Sequence, residues 1–114
     1  MKISVVICAK NEEKLIEGCL KRLTSQKIKP EIIVVDGHST DNTVKIAKKY
    51  ADKIIFDNKK GVPIARNIGA EACSGDIIAY TDADTQPPLD WTKKILEHMK
   101  DNIAISGPIK PYDG

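Results

Sequence analysis

Residues 32–43 read IIVVDGHSTDNT, in which a short apolar run gives way to glycine and small polar residues. The four β-branched residues at 32–35 predict a strand that is buried on both faces, as strands of parallel sheets are. Asp36 ends the run, and the Ser-Thr-Asp sequence at 39–41 is typical of the start of a helix. The stretch therefore predicts a strand, a turn and a helix in immediate succession.

The same alternation extends over the rest of the chain. Apolar runs predict strands at 3–8, 32–35, 53–56 and 76–80, with a weaker fifth at 103–106. Helical spacing of apolar residues separates these runs, and Pro63 fits only a first helical turn. The Pro/Gly-rich tail at 107–114 predicts no further element. The order β-α-β-α-β-α-β-α-β predicts an α/β fold: an open, mainly parallel sheet with helices on both faces.

The composition is that of an ordinary globular domain, and 114 residues suffice for one domain over 1–114. The 18 basic and 16 acidic side chains leave a net charge of only +2, so we expect no nucleic acid as partner. Cys8, Cys19 and Cys73 show no C-x-x-C spacing and are interpreted as small buried hydrophobes in a reducing compartment. No apolar run approaches the ~18 residues of a membrane span, and we expect a cytoplasmic protein.

Open α/β sheets bind ligands beyond the carboxyl ends of their strands, so the candidate segments are 9–12, 36–39, 57–61 and 81–84. The strongest signal is the D-x-D pair Asp82 and Asp84, directly after a predicted buried strand. The two side chains share a face only while strand geometry continues, and a turn would separate them. Carboxylates without thiolate or imidazole suit Mg²⁺ or Mn²⁺ bridged to phosphate. A turn before Pro87 that binds no metal is the open alternative.

Asp36 and Arg66 are further candidates. Because residues 39–41 already supply helix caps, we expect Asp36 to be free to face a ligand, where it can accept hydrogen bonds from a nucleobase or a ribose hydroxyl. Arg66, three positions past Pro63, can pair with a phosphate or with Asp82. The alternative for Asp36 is a turn residue or a helix cap. The alternative for Arg66 is a solvated helix residue.

Together these positions resemble family 2 of the glycosyltransferases, whose fold is known as GT-A. The matching segments are SVVICAKNEE at 4–13, IVVDGHSTDNT at 33–43, ARNIG at 65–69 and SGDIIAYTDAD at 74–84. Four motifs in the correct order and spacing are more specific than any one of them. The resemblance covers nearly the whole chain but about the first half of a family domain, so we expect the N-terminal nucleotide-sugar-binding part of a longer glycosyltransferase domain.

The resemblance implies an inverting transfer of sugar from a UDP- or GDP-linked donor to an unidentified acceptor. It implies that Ala9 and Glu12 line the nucleoside pocket, Asp36 contacts the base, Arg66 lies near base or phosphates, Asp82 lies near the ribose, and Asp84 holds Mg²⁺ or Mn²⁺. The family's catalytic base is a carboxylate in the second half of the domain, and no acidic residue after Asp84 matches it. We therefore assign no catalytic residue and expect no transfer by this chain alone. A membrane surface, contacted through a part beyond Gly114, and a second copy of the chain stay open as partners.

Some positions depart from the family pattern. Cys8 and Lys10 stand where Pro and Tyr are frequent, so stacking of position 10 on a base is not expected. Gly37 and His38 stand where Asp and Gly are frequent. We interpret His38 as a turn residue rather than a general base.

Other α/β functions fit less well. A phosphohydrolase of the haloacid dehalogenase type requires Thr or Val where Gln86 stands. Sugar nucleotidyltransferases and dinucleotide oxidoreductases require a glycine-rich loop after the first strand, where this chain reads CAKNE at 8–12. The remaining alternative is a non-catalytic module that binds a nucleotide sugar or a partner.

Overall fold

The computed structural model describes residues 1–57, 62–102 and 110–112. Strands and helices alternate along these ranges, in the order β1 (Ile3–Ala9), α1 (Ile16–Thr24), β2 (Glu31–Asp36), α2 (Thr43–Ala47), β3 (Lys53–Phe56), α3 (Val62–Glu71), β4 (Ile77–Asp82), α4 (Trp91–Asn102) and β5 (Lys110–Tyr112). The predicted α/β class is confirmed. None of the helices in the described ranges has the length and hydropathy needed to cross a membrane.

The five strands are parallel and form one sheet in the order β3-β2-β1-β4-β5. The central strand β1 places Cys8 opposite Val35 of β2 on one side and opposite Asp82 of β4 on the other. From β1 the chain proceeds outward through β2 to β3, and then returns to β4 on the far side of β1. Strand order therefore reverses between β1 and β4, which is where open α/β sheets leave a crevice for ligands.

Two cores form because successive side chains of a strand point to opposite faces of the sheet. One core joins the strands to α1, α2 and α4, and its members include Val5, Ile7, Leu20, Ala47 and Ile95. The other joins the opposite face to α3, and its members include Val6, Ile33, Val35, Ala65 and Ile78. Helices thus cover both faces, as predicted, and the near-continuous apolar runs of the strands reflect burial on both sides.

The end of the chain differs from the expectation. The fifth strand predicted at 103–106 lies outside the described residues. On the side of β4 away from β1, the described partner strand is Lys110–Tyr112, within the tail for which no element was expected. Pro111 lacks a backbone N–H, and it is tolerated because β5 is the edge strand of the described sheet.

Candidate functional site

The carboxyl ends of β1, β2 and β3 open into a cavity of about 570 Å³. It is lined by Cys8, Ala9, Lys10, Asn11, Val35, Gly37, His38, Thr40, Asp57 and Ala65. The volume lies within the range of small-molecule sites. The cavity occupies the edge of the sheet at which a ligand was expected, and Ala9 forms part of its wall. Of the candidate segment 57–61, Asp57 lies at the cavity, and residues 58–61 lie outside the described ranges.

Hydrogen bonds join the loops after β1 and β2 into one unit. The N–H of Asn11 donates to Ser39 Oγ at 2.8 Å, and Asn11 Oδ1 accepts from the N–H of Thr40 at 2.8 Å. The N–H of Glu12 donates to Thr43 Oγ1 at 2.9 Å, which places this predicted site residue in the same unit. Asn11 has a φ of 53°, a left-handed conformation that asparagine tolerates well.

Asp36 closes the turn after β2. Its side chain is fully buried, Oδ2 accepts from the N–H of Ser39 at 2.9 Å, and Oδ1 accepts from Ser39 Oγ at 2.6 Å. The expectation that the caps at 39–41 would leave Asp36 free is therefore wrong, because Ser39 binds Asp36 itself. Asp41 does meet the start of α2, where its Oδ1 accepts from the N–H of Thr43 at 3.0 Å.

Arg66 and Asp82 both lie near the point where strand order reverses. By alternation along β4, Asp82 shares the face of Ile78 and Tyr80, which α3 covers. The centre of the exposed Arg66 guanidinium lies 5.3 Å from the centre of the Tyr80 ring, a cation–π geometry. Burial raises the pKa of the nearby Cys8 thiol, a shift that Arg66 opposes and Asp82 reinforces. Both predicted residues therefore lie within electrostatic range of one point at the end of β1.

The D-x-D segment is a strand end followed by a turn. Asp82 is the last residue of β4, and the N–H of Thr85 donates to Asp82 O at 3.0 Å across the turn. Asp82 and Asp84 are exposed, whereas Ala83 between them is buried. Strand geometry thus ends at the first aspartate, the condition under which the two carboxylates separate.

The donor set near this turn is sparse. Among the described residues, no three His, Cys, Asp or Glu side chains are grouped so as to hold a metal. Mg²⁺ and Mn²⁺ at phosphate sites need only one or two carboxylates, since water and phosphate oxygens complete the coordination shell. The exposed Asp84, beside Asp82, fits that kind of site and does not fit a metal enclosed by protein ligands alone.

Helix α1 supports the D-x-D turn from within the core. The buried Cys19 thiol donates to Asp82 O, with Sγ and O 3.5 Å apart. Burial raises the pKa of Cys19 to about 12, and Asp84 and Asp82 add to the shift, so the thiol stays protonated and remains a donor. Cys19 is buried as interpreted, whereas Cys8 and Cys73 are half-buried; all three are free thiols.

Gln26 anchors the far end of the same loop and was missed by the sequence analysis. Its buried side chain donates from Nε2 to Pro88 O at 2.6 Å and accepts at Oε1 from the N–H of Thr92 at 3.0 Å. For Cys19, the only sequence feature that indicated a role was its place on the apolar stripe of α1. Gln26 follows the end of α1, and no sequence feature indicated a role for it.

His38 lies in the turn after β2, as interpreted. Its φ of 62° is in the left-handed region that glycine adopts most readily, which agrees with the glycine frequent at this position in the resembling family. Its Nε2 lies 2.8 Å from the backbone O of Asp57.

Comparison with known proteins identifies the family to which this chain is similar. Residues 4–114 match the family described as Glycosyl transferase family 2. Among curated relatives, glycosyltransferase AglE of Haloferax volcanii is 38% identical over 101 residues, which cover 81% of this chain and 33% of the relative. Dolichol-phosphate mannosyltransferase of Pyrococcus furiosus is 34% identical over 113 residues, 93% of this chain and 32% of the relative. The chain spans about a third of the length of these relatives.

Solved structures share the fold. Staphylococcus aureus TarS 1-349 in complex with UDP-GlcNAc superposes with a TM-score of 0.81 over 94% of this chain and 36% of that chain, at 24% identity. Glucosyl-3-phosphoglycerate synthase from Mycobacterium tuberculosis, in complex with Mn²⁺, UDP and glucosyl-3-phosphoglycerate, superposes with a TM-score of 0.67 over 77% of this chain and 36% of that chain, at 29% identity. The family match over residues 4–114, the relatives above 30% identity and the shared parallel sheet together show that this chain belongs to glycosyl transferase family 2 and carries part of its GT-A fold.

Proposed function

We propose that the protein transfers a sugar, with inversion, from a UDP- or GDP-linked donor to an acceptor, and that the described residues bind the nucleoside diphosphate through Mg²⁺ or Mn²⁺. The proposal rests on one observation: the cavity at the carboxyl ends of β1 and β2 lies beside the exposed D-x-D turn of β4. A related synthase of 29% identity is known in complex with Mn²⁺ and UDP, which supports the choice of ligand.

The roles are those that the family resemblance implies, and the positions of Ala9, Glu12 and Asp82 support them. Ala9 and Glu12 border the nucleoside, since Ala9 lines the cavity and Glu12 belongs to the joined loops beside it. Asp36 is assigned to the base by the family resemblance; its carboxylate is fully buried and held by Ser39, so this contact requires the turn after β2 to move when the nucleotide binds. Asp82, at the end of β4, is assigned to the ribose, and Arg66 to the base or the phosphates.

Electrostatics argue for a cation at Asp84. A nucleoside diphosphate brings about three negative charges toward Asp82 and Asp84, while Arg66 offsets only one of them, so approach without a metal is repulsive. A divalent ion held by Asp84 would neutralise the diphosphate and stabilise its charge as it leaves the sugar. Asp84 is exposed at the turn and therefore open to a hydrated ion and its phosphate partners.

We assign no catalytic base within residues 1–114. The curated relatives are about three times as long as the matched region, and we propose that their further part corresponds to the base and the acceptor contacts. The free thiols fit a reducing compartment, and on that ground we propose a cytoplasmic location.

The metal assignment is tested by calorimetric titration of UDP and GDP, with Mn²⁺ or with EDTA. We expect the wild-type protein to bind at least one of them roughly tenfold or more tighter with Mn²⁺, since a bridging ion supplies several kcal/mol of charge stabilisation. Asp84→Asn should remove most of this difference. Asp76→Asn is the matched control, because Asp76 is an exposed aspartate at the opposite end of the same strand, and it should bind like wild type.

Two results would contradict the metal site. One is equal binding by the wild-type protein in Mn²⁺ and in EDTA. The other is an Asp84→Asn variant that keeps the full dependence on Mn²⁺. Either result would leave the D-x-D segment as a turn that holds no ion.

A further inference from the structure

His38 places a flat ring at the wall of the cavity. The other described lining residues are glycine, small or aliphatic side chains, and chains with flexible polar ends, so His38 supplies the one ring on the described part of the wall. The His38 side chain is 41% exposed to solvent. A flat, partly exposed ring beside an open cavity is a surface on which a planar ligand can stack.

The ring is held by Phe56, the last residue of β3, and by Asp57 directly after it. Nε2 lies 2.8 Å from the backbone O of Asp57 and 3.6 Å from Asp57 Oδ1. The Phe56 ring is its neighbour, with centroids 6.0 Å apart and planes tilted by 38°. Contacts at one edge and one neighbouring ring fix the imidazole without covering the whole of it, and a fixed ring loses little entropy when a ligand stacks on it.

The backbone at His38 is strained. Its φ of 62° lies in the left-handed region, which is unfavourable for a residue with a Cβ and which glycine adopts without that penalty. The strain persists because the contacts with Phe56 and Asp57 hold the side chain in place. Strained residues of this kind cluster at ligand sites.

We propose that the His38 imidazole is the stacking surface for the nucleobase of the donor, which makes His38 a determinant of nucleotide binding that no family motif assigns. The proposal rests on the proposed function, because it requires a nucleoside diphosphate in this cavity. Stacking uses the π-face that every base presents, so His38 strengthens the binding of uracil and of guanine nucleotides alike. The diphosphate, bound at the D-x-D turn, gains nothing from it.

The test compares three ligands, each with Mn²⁺: UDP, GDP and inorganic pyrophosphate. The variants are His38→Asn, since asparagine tolerates the left-handed conformation without a ring, and His38→Gly, which also relieves the strain. We expect both variants to bind the preferred nucleotide about tenfold more weakly, as for loss of one stacked base. Pyrophosphate should bind as it does to wild type, and His38→Gly should unfold at no lower temperature.

Each outcome decides the proposal. A loss of affinity for the nucleotides, with unchanged affinity for pyrophosphate, supports the stacking role of His38. If both variants keep the wild-type preference for nucleotide over pyrophosphate, His38 does not stack on the base, and the proposed function stands without it. Equal weakening of all three ligands would show that His38 acts through the fold of the turn, which also overturns the proposal. If wild-type protein binds neither nucleotide more tightly than pyrophosphate, this proposal and the nucleotide part of the proposed function fall together.

Discussion

Among single residues, Glu31 shows how the fold holds a charge at the amino ends of the strands. Its Oε1 accepts from Ser4 Oγ and from the N–H of Ser74, both at 2.8 Å, and its Oε2 accepts from Ser74 Oγ at 2.8 Å. Lys53 Nζ lies 3.5 Å from the same Oε2. Burial alone would raise the pKa of Glu31, but the bonds from Ser74 and Ser4 and the charge of Lys53 outweigh it and lower the pKa to about 2.

Because of this lowered pKa, we expect part of the free energy of unfolding to depend on the ionised form of Glu31. The pKa of Glu31 is lower in the folded state than in the unfolded state. The stabilisation is therefore fully present above pH 4.5 and is lost as the pH falls toward about 2. We expect Glu31→Gln to lower the free energy of unfolding at pH 7 by about 1 to 2 kcal/mol, a value reduced by partial solvent screening. Near pH 2 the variant and the wild type should be equally stable. Urea unfolding across this pH range measures both values.

The matched control is Glu97→Gln, an exposed glutamate on α4, which should change the free energy of unfolding little at either pH. A difference between Glu31→Gln and wild type that is as large near pH 2 as at pH 7 would show that the ionised form of Glu31 is not the source of the stabilisation.

Among the elements, α3 matters most for the site, because it carries Arg66 and lines the cavity with Ala65. Gly69 lets this helix approach the sheet: a Cβ at that position would lie 2.5 Å from Val6 Cγ1 and 2.9 Å from Val35 Cγ2. Both contacts are with branched side chains of the second core. The position of the Arg66 guanidinium over Tyr80 therefore depends on the absence of a side chain at Gly69.

We expect Gly69→Ala to destabilise the protein by about 1 to 3 kcal/mol, as overpacking of a core does, despite the higher helix propensity of alanine. Gly18→Ala in α1 is the matched control. There the new Cβ would lie 2.8 Å from Gln86 Nε2, the end of an exposed side chain that can rotate away. This variant should be neutral or more stable by up to about 1 kcal/mol. Equal losses of stability in the two variants, measured by urea unfolding, would contradict close packing at Gly69.

For the domain as a unit, the proposed ligand would join β1, β2, α3 and β4, whose ends surround the site. A ligand that binds only the folded state stabilises it by about 2.7 kcal/mol at a hundred times its Kd. With Mn²⁺ and the preferred nucleotide present together, we expect the unfolding temperature to rise by on the order of 10 °C for a domain of this size. Thermal unfolding followed by circular dichroism measures the shift.

The control for this prediction is Asp84→Asn. It should unfold at the wild-type temperature without ligand, because the Asp84 side chain is exposed, and should lose most of the shift that Mn²⁺ and nucleotide produce together. A shift of the same size in EDTA would mean that the nucleotide binds without a metal.

Local patterns in the sequence predict the elements and their alternation, and with them the edge of the sheet at which the candidate site lies. Strand and helix periodicity are local properties, so β1 to β4 and the four helices could be predicted from neighbours in the chain. The placement of Ala9, Asp36 and Asp82 at one edge followed because parallel strands end on the same side.

The contacts that hold these residues in place depend on the three-dimensional fold. Asp36 is bound by Ser39 rather than free, Cys19 donates to Asp82 from 63 positions away, and Gln26 reaches Pro88 across 62 positions. The strand order and the position of β5 likewise depend on contacts between segments that are distant in the chain. The cause is the same in each case. A hydrogen bond between distant segments depends on where packing puts a donor and an acceptor, and no local pattern of the chain encodes that distance.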